Sequence, residues 1–327
     1  LKALLTLDEI QRFVDIPQLI LAIEQGFLSY SEGHSEVPPV GFLHFDEPPG
    51  DVHVKYGYIH GGEYYVLKVA SAFYNNAEGN HPVNDGIVLV FSSQSGAIEF
   101  VLQDEGWLTD IRTAAAGAVA AKHLANSTID TIGIIGTGVQ ARLQLELLRD
   151  VVNCQKCLVW GRSSTKAQQM IDELYQNPVI QDWGIEIMLA DNSDSLVSQS
   201  RLIITTTSAR TPLIFADKVQ KGTHITAMGS DDDGKQELVS DLLAKADRVI
   251  ADSISQCIDH GECHSAIRDK QIEESAVFEL GDVIKNPAKA RTQENQITIA
   301  DLTGVAVQDI VVANMVAKSY LKGCNGR

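Results

Sequence analysis

The spacing of hydrophobic and polar positions changes character along the chain. Thr6-x-x-Glu9 has the spacing of a capping box and predicts a short helix near the start. Asp15-Ile16-Pro17 opens a second helix, with Asp15 as N-cap and a proline inside the first turn. Leu19, Ile20, Ile23 and Phe27 give this helix one buried stripe. Pro38, Pro39, Pro48 and Pro49 then mark an extended loop. Strand-like segments follow near 52–60, 64–74, 86–92 and 97–104. The first pair is joined across Gly61-Gly62 and the last across Ser95-Gly96, both hairpin-type turns. This part of the chain reads as antiparallel and mixed.

From Thr109 to Leu124 the pattern is helical and rich in small residues (Ala114, Ala115, Ala116, Gly117, Ala118, Ala120), which lets another backbone pack close. Beyond it, short apolar runs alternate with helical stretches. Strands are predicted at Ile132–Ile135 and near 156–160, 186–190, 201–206, 223–228 and 247–251. A last strand at Thr298–Asp301 leads into a helix from about Val305 to Leu321. Strands of this length, buried on both faces and separated by helices, predict a parallel doubly wound α/β sheet. No internal repeat or low-complexity linker interrupts the chain. The expected organisation is a front domain, an inserted nucleotide domain, and a final helix that returns to the front.

The centre of the inserted region is Ile132-Gly133-Ile134-Ile135-Gly136-Thr137-Gly138-Val139-Gln140-Ala141. A buried strand breaks into Gly136-x-Gly138-x-x-Ala141 and continues as a helix, the context in which a dinucleotide fingerprint is meaningful. Gly136 permits the tight turn, Gly138 allows a pyrophosphate to approach the backbone, and Ala141 keeps helix and strand close. The helix N-terminus adds free N–H groups and partial positive charge beside Thr137, Val139 and Gln140. Past the second strand, where NAD-binding folds carry an acidic residue, the chain reads Trp160-Gly161-Arg162-Ser163-Ser164. With no carboxylate there, Arg162 and its neighbouring hydroxyls fit a 2′-phosphate, which favours NADPH while leaving NADH possible. The plain alternative is a solvated arginine in a turn.

Composition narrows the function classes. The 327 residues are enough for two domains, and with 44% hydrophobic and 21% charged residues the composition is that of an ordinary folded protein. A net charge of −17 repels phosphate backbones and anionic membranes, which argues against a nucleic-acid or membrane partner. No apolar run approaches the ~18 residues of a membrane span. Leu1 to Phe13 lack the basic start and apolar core of a signal peptide. Five cysteines, an odd number, give no disulfide framework, so the expected compartment is the reducing cytoplasm. Cys154-x-x-Cys157 lies at a strand entrance, which does not suit a redox pair. Cys257, His260, Cys263 and His264 fit no familiar zinc spacing, so no metal is expected.

Three further positions carry candidate chemistry. Lys68 interrupts the otherwise apolar strand Tyr64-Tyr65-Val66-Leu67-Lys68-Val69-Ala70, and must meet an anionic substrate group or face solvent at a sheet edge. Arg112 falls in the first turn of the helix read from Thr109, where a cation opposes the helix dipole. It therefore points at an anion, either a ligand carboxylate or a structural partner such as Asp104 or Asp110. Asp231, Asp232 and Asp233 follow the predicted strand ending at Met228, where loops line the ligand crevice of an open α/β sheet. One of them could act as acid or base, although three in a row also suit a solvated turn.

Taken together, these residues resemble the ornithine cyclodeaminase/mu-crystallin family. The matching pieces are Lys68 in its strand, Leu108-Thr109-Asp110-Ile111-Arg112-Thr113-Ala114-Ala115, and Ile134-Ile135-Gly136-Thr137-Gly138-Val139-Gln140-Ala141. They continue with Ala227-Met228-Gly229-Ser230-Asp231, then Lys235 and Glu237-Leu238, and Asp301-Leu302-Thr303-Gly304-Val305-Ala306-Val307-Gln308-Asp309. The resemblance implies a Rossmann domain (126–301) inserted in an α+β domain (1–125 plus 302–327) that binds substrate and forms a homodimer through its sheet. It also implies that Lys68 and Arg112 bind a substrate α-carboxylate. Asp231 would be the acid/base near the substrate nitrogen, with Lys68 beside it in the catalytic set, and the Thr303-Gly304 loop would border the nicotinamide.

The family holds several activities. Its cyclodeaminases need a carboxylate for the δ-ammonium of ornithine and usually a second arginine. Counting back from Lys68, those places fall near Lys55 and Pro39. A lysine repels a second ammonium, and a proline cannot replace an arginine. The departures imply an enzyme that performs only the closing half-reaction, reduction of a small cyclic imino acid. The expected reaction converts Δ1-pyrroline-2-carboxylate to L-proline with NADPH or NADH. Ornithine cyclodeamination, a dehydrogenase of small amino acids, an opine-like amine synthase and a non-catalytic NADPH-binding protein are the alternatives.

Overall fold

A computed structural model describes residues 1–73, 75–76 and 82–325. Position 74, where the second expected strand ends, and the last two residues of the expected front domain, 326 and 327, lie outside the described residues. The chain divides into two compact units, one formed by Leu1–Thr113 with Val305–Arg327 and the other by Ala114–Gly304. The boundary falls inside the small-residue helix, which runs Trp107–Leu124 and starts two residues before the expected Thr109.

The first unit is built on a mixed sheet. Its strands are β1 (Ala3–Leu5), β2 (Ser35–Glu36), β3 (Gly41–Phe45), β4 (Gly50–Ile59), β5 (Tyr64–Phe73), β6 (Asn84–Ser92) and β7 (Ile98–Leu102). The order is β1-β7-β6-β5-β4-β2, with β3 also paired to β4. Both hairpins form where the glycine turns predicted them, and β1 adds a parallel edge beside β7. The segment between the proline pairs is not wholly a loop, because β3 pairs with β4 through Phe42, Leu43 and His44. Two helices pack against this unit's core. The helix Ile16–Ser31 is capped by Asp15, which accepts from Gln18 N at 3.0 Å, and it buries Leu19, Ile20, Ile23 and Phe27 as its stripe predicts. The helix Ala306–Asn325 comes so close to it that a Cβ on Gly26 would lie 3.0 Å from Val311. Thr6 and Glu9 form the capping box read from the sequence.

The second unit holds the strands β8 (Ile132–Ile135), β9 (Lys156–Trp160), β10 (Glu186–Leu189), β11 (Leu202–Thr205), β12 (His224–Ala227), β13 (Arg248–Ala251), β14 (Val277–Glu279) and β15 (Thr298–Asp301). Every pairing among them is parallel, and the order is β10-β9-β8-β11-β12-β15-β13-β14. The doubly wound expectation is met. The central strands β8, β11, β12 and β15 are fully buried because both faces are covered, which is why they read as continuous apolar runs. The strand order turns back between β8 and β11. At such a switch point the loops leaving two neighbouring strands diverge and open a crevice.

Candidate active site

In the first unit, Lys68 sits in the middle of the sheet and not at an edge. Strand β5 is flanked by β4 and β6, and Lys68 is only 2% exposed. A buried ammonium must be paired. Its Nζ donates to Asp309 Oδ1 at 2.9 Å. Arg112 reaches the same oxygen with Nε at 3.1 Å and donates from Nη1 to Gln308 Oε1 at 2.6 Å. The helix start at Trp107 places Arg112 in the second turn, not the first. Its ion partner is Asp309, far along the chain, and not Asp104 or Asp110. Asp104 instead caps the helix, accepting from Leu108 N at 3.0 Å.

Lys55 stands opposite Lys68 in the β4–β5 register and is also buried. Burial, together with the neighbouring Arg112 and Lys55, lowers Lys68 to about 7 in spite of Asp309. Burial alone would raise the carboxyl of Asp309, but Lys68, Arg112 and Lys55 outweigh it and hold Asp309 below the usual carboxylate range. Burial pushes Asp104 up to about 6. Among the described residues, Asp309 Oδ2 and Gln308 Nε2 are buried with no hydrogen-bond partner. This cluster is therefore a polar centre with donors and an acceptor to spare. Asp309 and Gln308 entered the sequence reading only as the end of a resembling stretch and were given no role, because nothing local links positions 308 and 309 to position 68.

In the second unit, Gly136 adopts φ +132°, and a Cβ there would lie 2.3 Å from Thr206 Oγ1, so the turn requires glycine. A Cβ on Gly138 would meet nothing within 4 Å, which leaves open space over the N-terminus of the helix Val139–Leu148. Arg142, one turn into that helix, donates to the carbonyls of Thr137 at 2.6 Å and Gly138 at 3.1 Å and so fixes the turn. A cavity of about 840 Å³ lies here. It is lined by the glycine turn, by Trp160 at the end of β9, by Arg162, Ser163 and Lys166 beyond it, and by Thr206 to Arg210 beyond β11. These are loops at the carboxyl ends of strands on both sides of the switch point. The open approach at Gly138, the helix N-terminus and the cationic rim suit a dinucleotide. Arg162 is exposed at this rim, while Ser163 Oγ caps the next helix by accepting from Lys166 N at 3.3 Å.

Two further predicted positions lie at the same ends of neighbouring strands. Thr303 follows β15, where Asp252 accepts from Thr303 N and Oγ1, both at 3.2 Å, and from Gly304 N at 2.7 Å. Asp231 follows β12, with its side chain 52% exposed and bonded to Lys235 Nζ at 2.7 Å. Among the described residues no group of three or more His, Cys, Asp or Glu side chains is placed to hold a metal ion. Cys154, Cys157, Cys257 and Cys263 are buried free thiols. No helix among the described residues is long and apolar enough to cross a membrane.

A parallel sheet of this order, with a glycine turn at its switch point, defines a Rossmann-type nucleotide-binding fold. The chain belongs to the ornithine cyclodeaminase/mu-crystallin family, which it matches over residues 2–323. It is 40% identical to an uncharacterized cyclodeaminase of Sinorhizobium fredii, over 86% of this chain and 83% of that one. It is 30% identical to the alanine dehydrogenase of Archaeoglobus fulgidus, over 97% and 95% of the two chains. The structure of Thermococcus litoralis Δ1-pyrroline-2-carboxylate reductase in complex with NADH and L-proline superposes with a TM-score of 0.90. Sequence identity in that pair is 26%, over 98% of each chain.

Proposed function

We propose that this protein is an oxidoreductase that reduces the C=N bond of a small imino acid with a nicotinamide cofactor. Its proposed substrate is Δ1-pyrroline-2-carboxylate and its product L-proline. The observation that carries this reading is the buried cluster in the first unit. Lys68 and Arg112 converge on Asp309 Oδ1, with Lys55 opposite Lys68 in the neighbouring strand, so cationic groups gather around one buried point. Such a cluster suits a single substrate carboxylate. Lys68 and Arg112 bind that carboxylate, with Asp309 and Gln308 holding them in place. A bound reduced nicotinamide would supply the hydride to C2. Asp231 supplies or stabilises the proton on the imine nitrogen, because a protonated C=N accepts hydride more readily. Lys68, with its pKa brought near 7, is the second candidate for that proton.

Gly136, Thr137, Gly138, Val139 and Gln140 are proposed to hold the pyrophosphate, with Thr303 near the nicotinamide. Arg162 and Ser163 are the proposed contacts for a 2′-phosphate, so NADPH is the proposed cofactor, with NADH as the alternative. Exposed apolar positions on β3 and β4, namely Phe42, Leu43, Phe45 and Tyr56, support a homodimer formed through this sheet.

Cyclodeamination is the rival that the 40% identical relative favours. Lys55 opposes it, because a second buried cation beside Lys68 repels the δ-ammonium of ornithine. The deciding experiment follows NADPH absorbance with Δ1-pyrroline-2-carboxylate and assays ammonia release from ornithine. The reading expects stoichiometric NADPH loss with the imine and no ammonia. Ammonia from ornithine without net NADPH loss would transfer the assignment to cyclodeamination.

A further inference from the structure

Glu237 lies outside both sets of residues named above, yet it is among the most fully engaged polar groups of the second unit. It is 0% exposed. Its Oε1 accepts from Thr207 N at 2.6 Å and Thr207 Oγ1 at 2.7 Å. Its Oε2 accepts from Thr205 Oγ1 at 2.6 Å and Gly229 N at 2.8 Å. These donors fill the acceptor capacity of an ionised carboxylate. The backbone of Glu237 is held in turn by a second buried acid. Glu262 accepts from Glu237 N at 2.7 Å and from Leu238 N at 3.1 Å.

The two loops joined by this carboxylate have different duties. Thr207 lines the cavity beyond β11. Gly229 follows β12 and precedes Asp231 by two positions. The loops also touch, since a Cβ on Gly229 would lie 2.0 Å from Thr207 O and 2.6 Å from Glu237 Oε2. We propose that Glu237 is a positioning residue that ties the floor of the dinucleotide cavity to the loop carrying Asp231, so that dinucleotide affinity and proton delivery change together. This rests on the reading of the cavity as a dinucleotide site and of Asp231 as the acid.

The chemistry asks for a carboxylate specifically. An amide would direct an NH2 group at either Thr207 N–H or Gly229 N–H, setting donor against donor where no water replaces the lost bond. A side chain that only filled space would tolerate the isosteric change from Glu to Gln.

The test compares wild type with E237Q and T205V, titrating NADPH and NADH by nicotinamide fluorescence. The pH profile of imine reduction and the melting temperature are recorded beside it. Thr205 is buried beneath the cavity and does not line it, so T205V loosens the clasp without altering the lining. E237Q is expected to bind the dinucleotide about tenfold more weakly and to shift the pH profile of kcat, well below its melting temperature. T205V is expected to move both in the same direction by a smaller factor, and it decides the matter if E237Q does not fold. Variants that melt earlier yet keep wild-type dinucleotide affinity and pH profile would overturn the positioning role alone. A wild type that binds neither dinucleotide would overturn the cavity reading, and the inference with it.

Discussion

Lys55 and Lys68 face each other across adjacent strands β4 and β5, two buried amines in direct register. Like charges directly opposite on a sheet are unfavourable. Asp309 lies within hydrogen-bond reach of Lys68 and acts on both amines, which offsets part of that repulsion. Replacing Lys55 with glutamate would turn the repulsion into attraction and provide a partner for a substrate ammonium. K55E is expected to lose catalytic efficiency with Δ1-pyrroline-2-carboxylate and to gain measurable affinity for ornithine. Steady-state kinetics with the imine and competition by ornithine test this, and a variant indifferent to ornithine would remove Lys55 from the substrate site.

Asp309 is the common partner of Lys68 and Arg112, so its loss strands two buried cations. D309N is expected to lower stability by about 3–5 kcal/mol, the range for breaking one side of a buried ion pair. It should also raise the KM for the imine. Urea unfolding and steady-state kinetics provide the two readouts. A small change in stability would mean that the cations find other partners.

Burial sets the pH response of Lys68. With its pKa at about 7, Lys68 loses its charge as pH rises through neutrality, and with it part of its grip on an anionic substrate. The catalytic efficiency of the free enzyme is therefore expected to fall above pH ~7, with one proton lost. K68M should abolish that limb along with most of the activity. Stability moves the opposite way. Between about pH 7 and the ordinary lysine value of 10.5, the unfolded chain holds a proton that the folded chain has released, so this group favours folding more as pH rises.

His224 gives a second, independent pH signature. It is buried between Thr298 and Thr226, and burial together with Arg291 lowers it to about 3. Below its ordinary value of 6.5 the unfolded chain takes up a proton that the folded chain refuses. Stability from this group is expected to fall by roughly 1.4 kcal/mol per pH unit as acidity increases toward that lowered value. H224Q should flatten the slope in urea titrations between pH 6 and 4.

Cofactor choice is tested at Arg162. If its guanidinium meets a 2′-phosphate, R162A should weaken NADPH binding by about 1–3 kcal/mol and leave NADH nearly unaffected. Direct titration with both dinucleotides measures the difference. Equal effects on the two would assign Arg162 to the solvated turn.

The parallel sheet was legible because strands such as Ile132–Ile135 are buried on both faces and so read as unbroken apolar runs. The fingerprint was legible because Gly136 occupies a conformation and a space that no other residue can. Strands β1, β2 and β14 were missed, being only two or three residues long and shaped by their neighbours rather than by their own pattern. Strand β3 was hidden between proline pairs, with most of its side chains exposed. In the candidate site, Lys68 stood out because a cation interrupts an apolar strand. Its partner Asp309 did not, because an acid in a helix carries no mark of what it faces across 241 positions. Glu237 was visible only as part of a resemblance, since four hydrogen bonds from three residues leave no trace in spacing.

Arg142 binds the carbonyls of Thr137 and Gly138 from within the helix that follows them. A loop restrained in this way has little conformational freedom left to surrender when a phosphate arrives. The same side chain ion-pairs with Glu173, so the brace extends into the neighbouring helix Ser164–Leu174. Occupancy of the crevice then depends less on the glycines bending to fit than on this brace staying fastened.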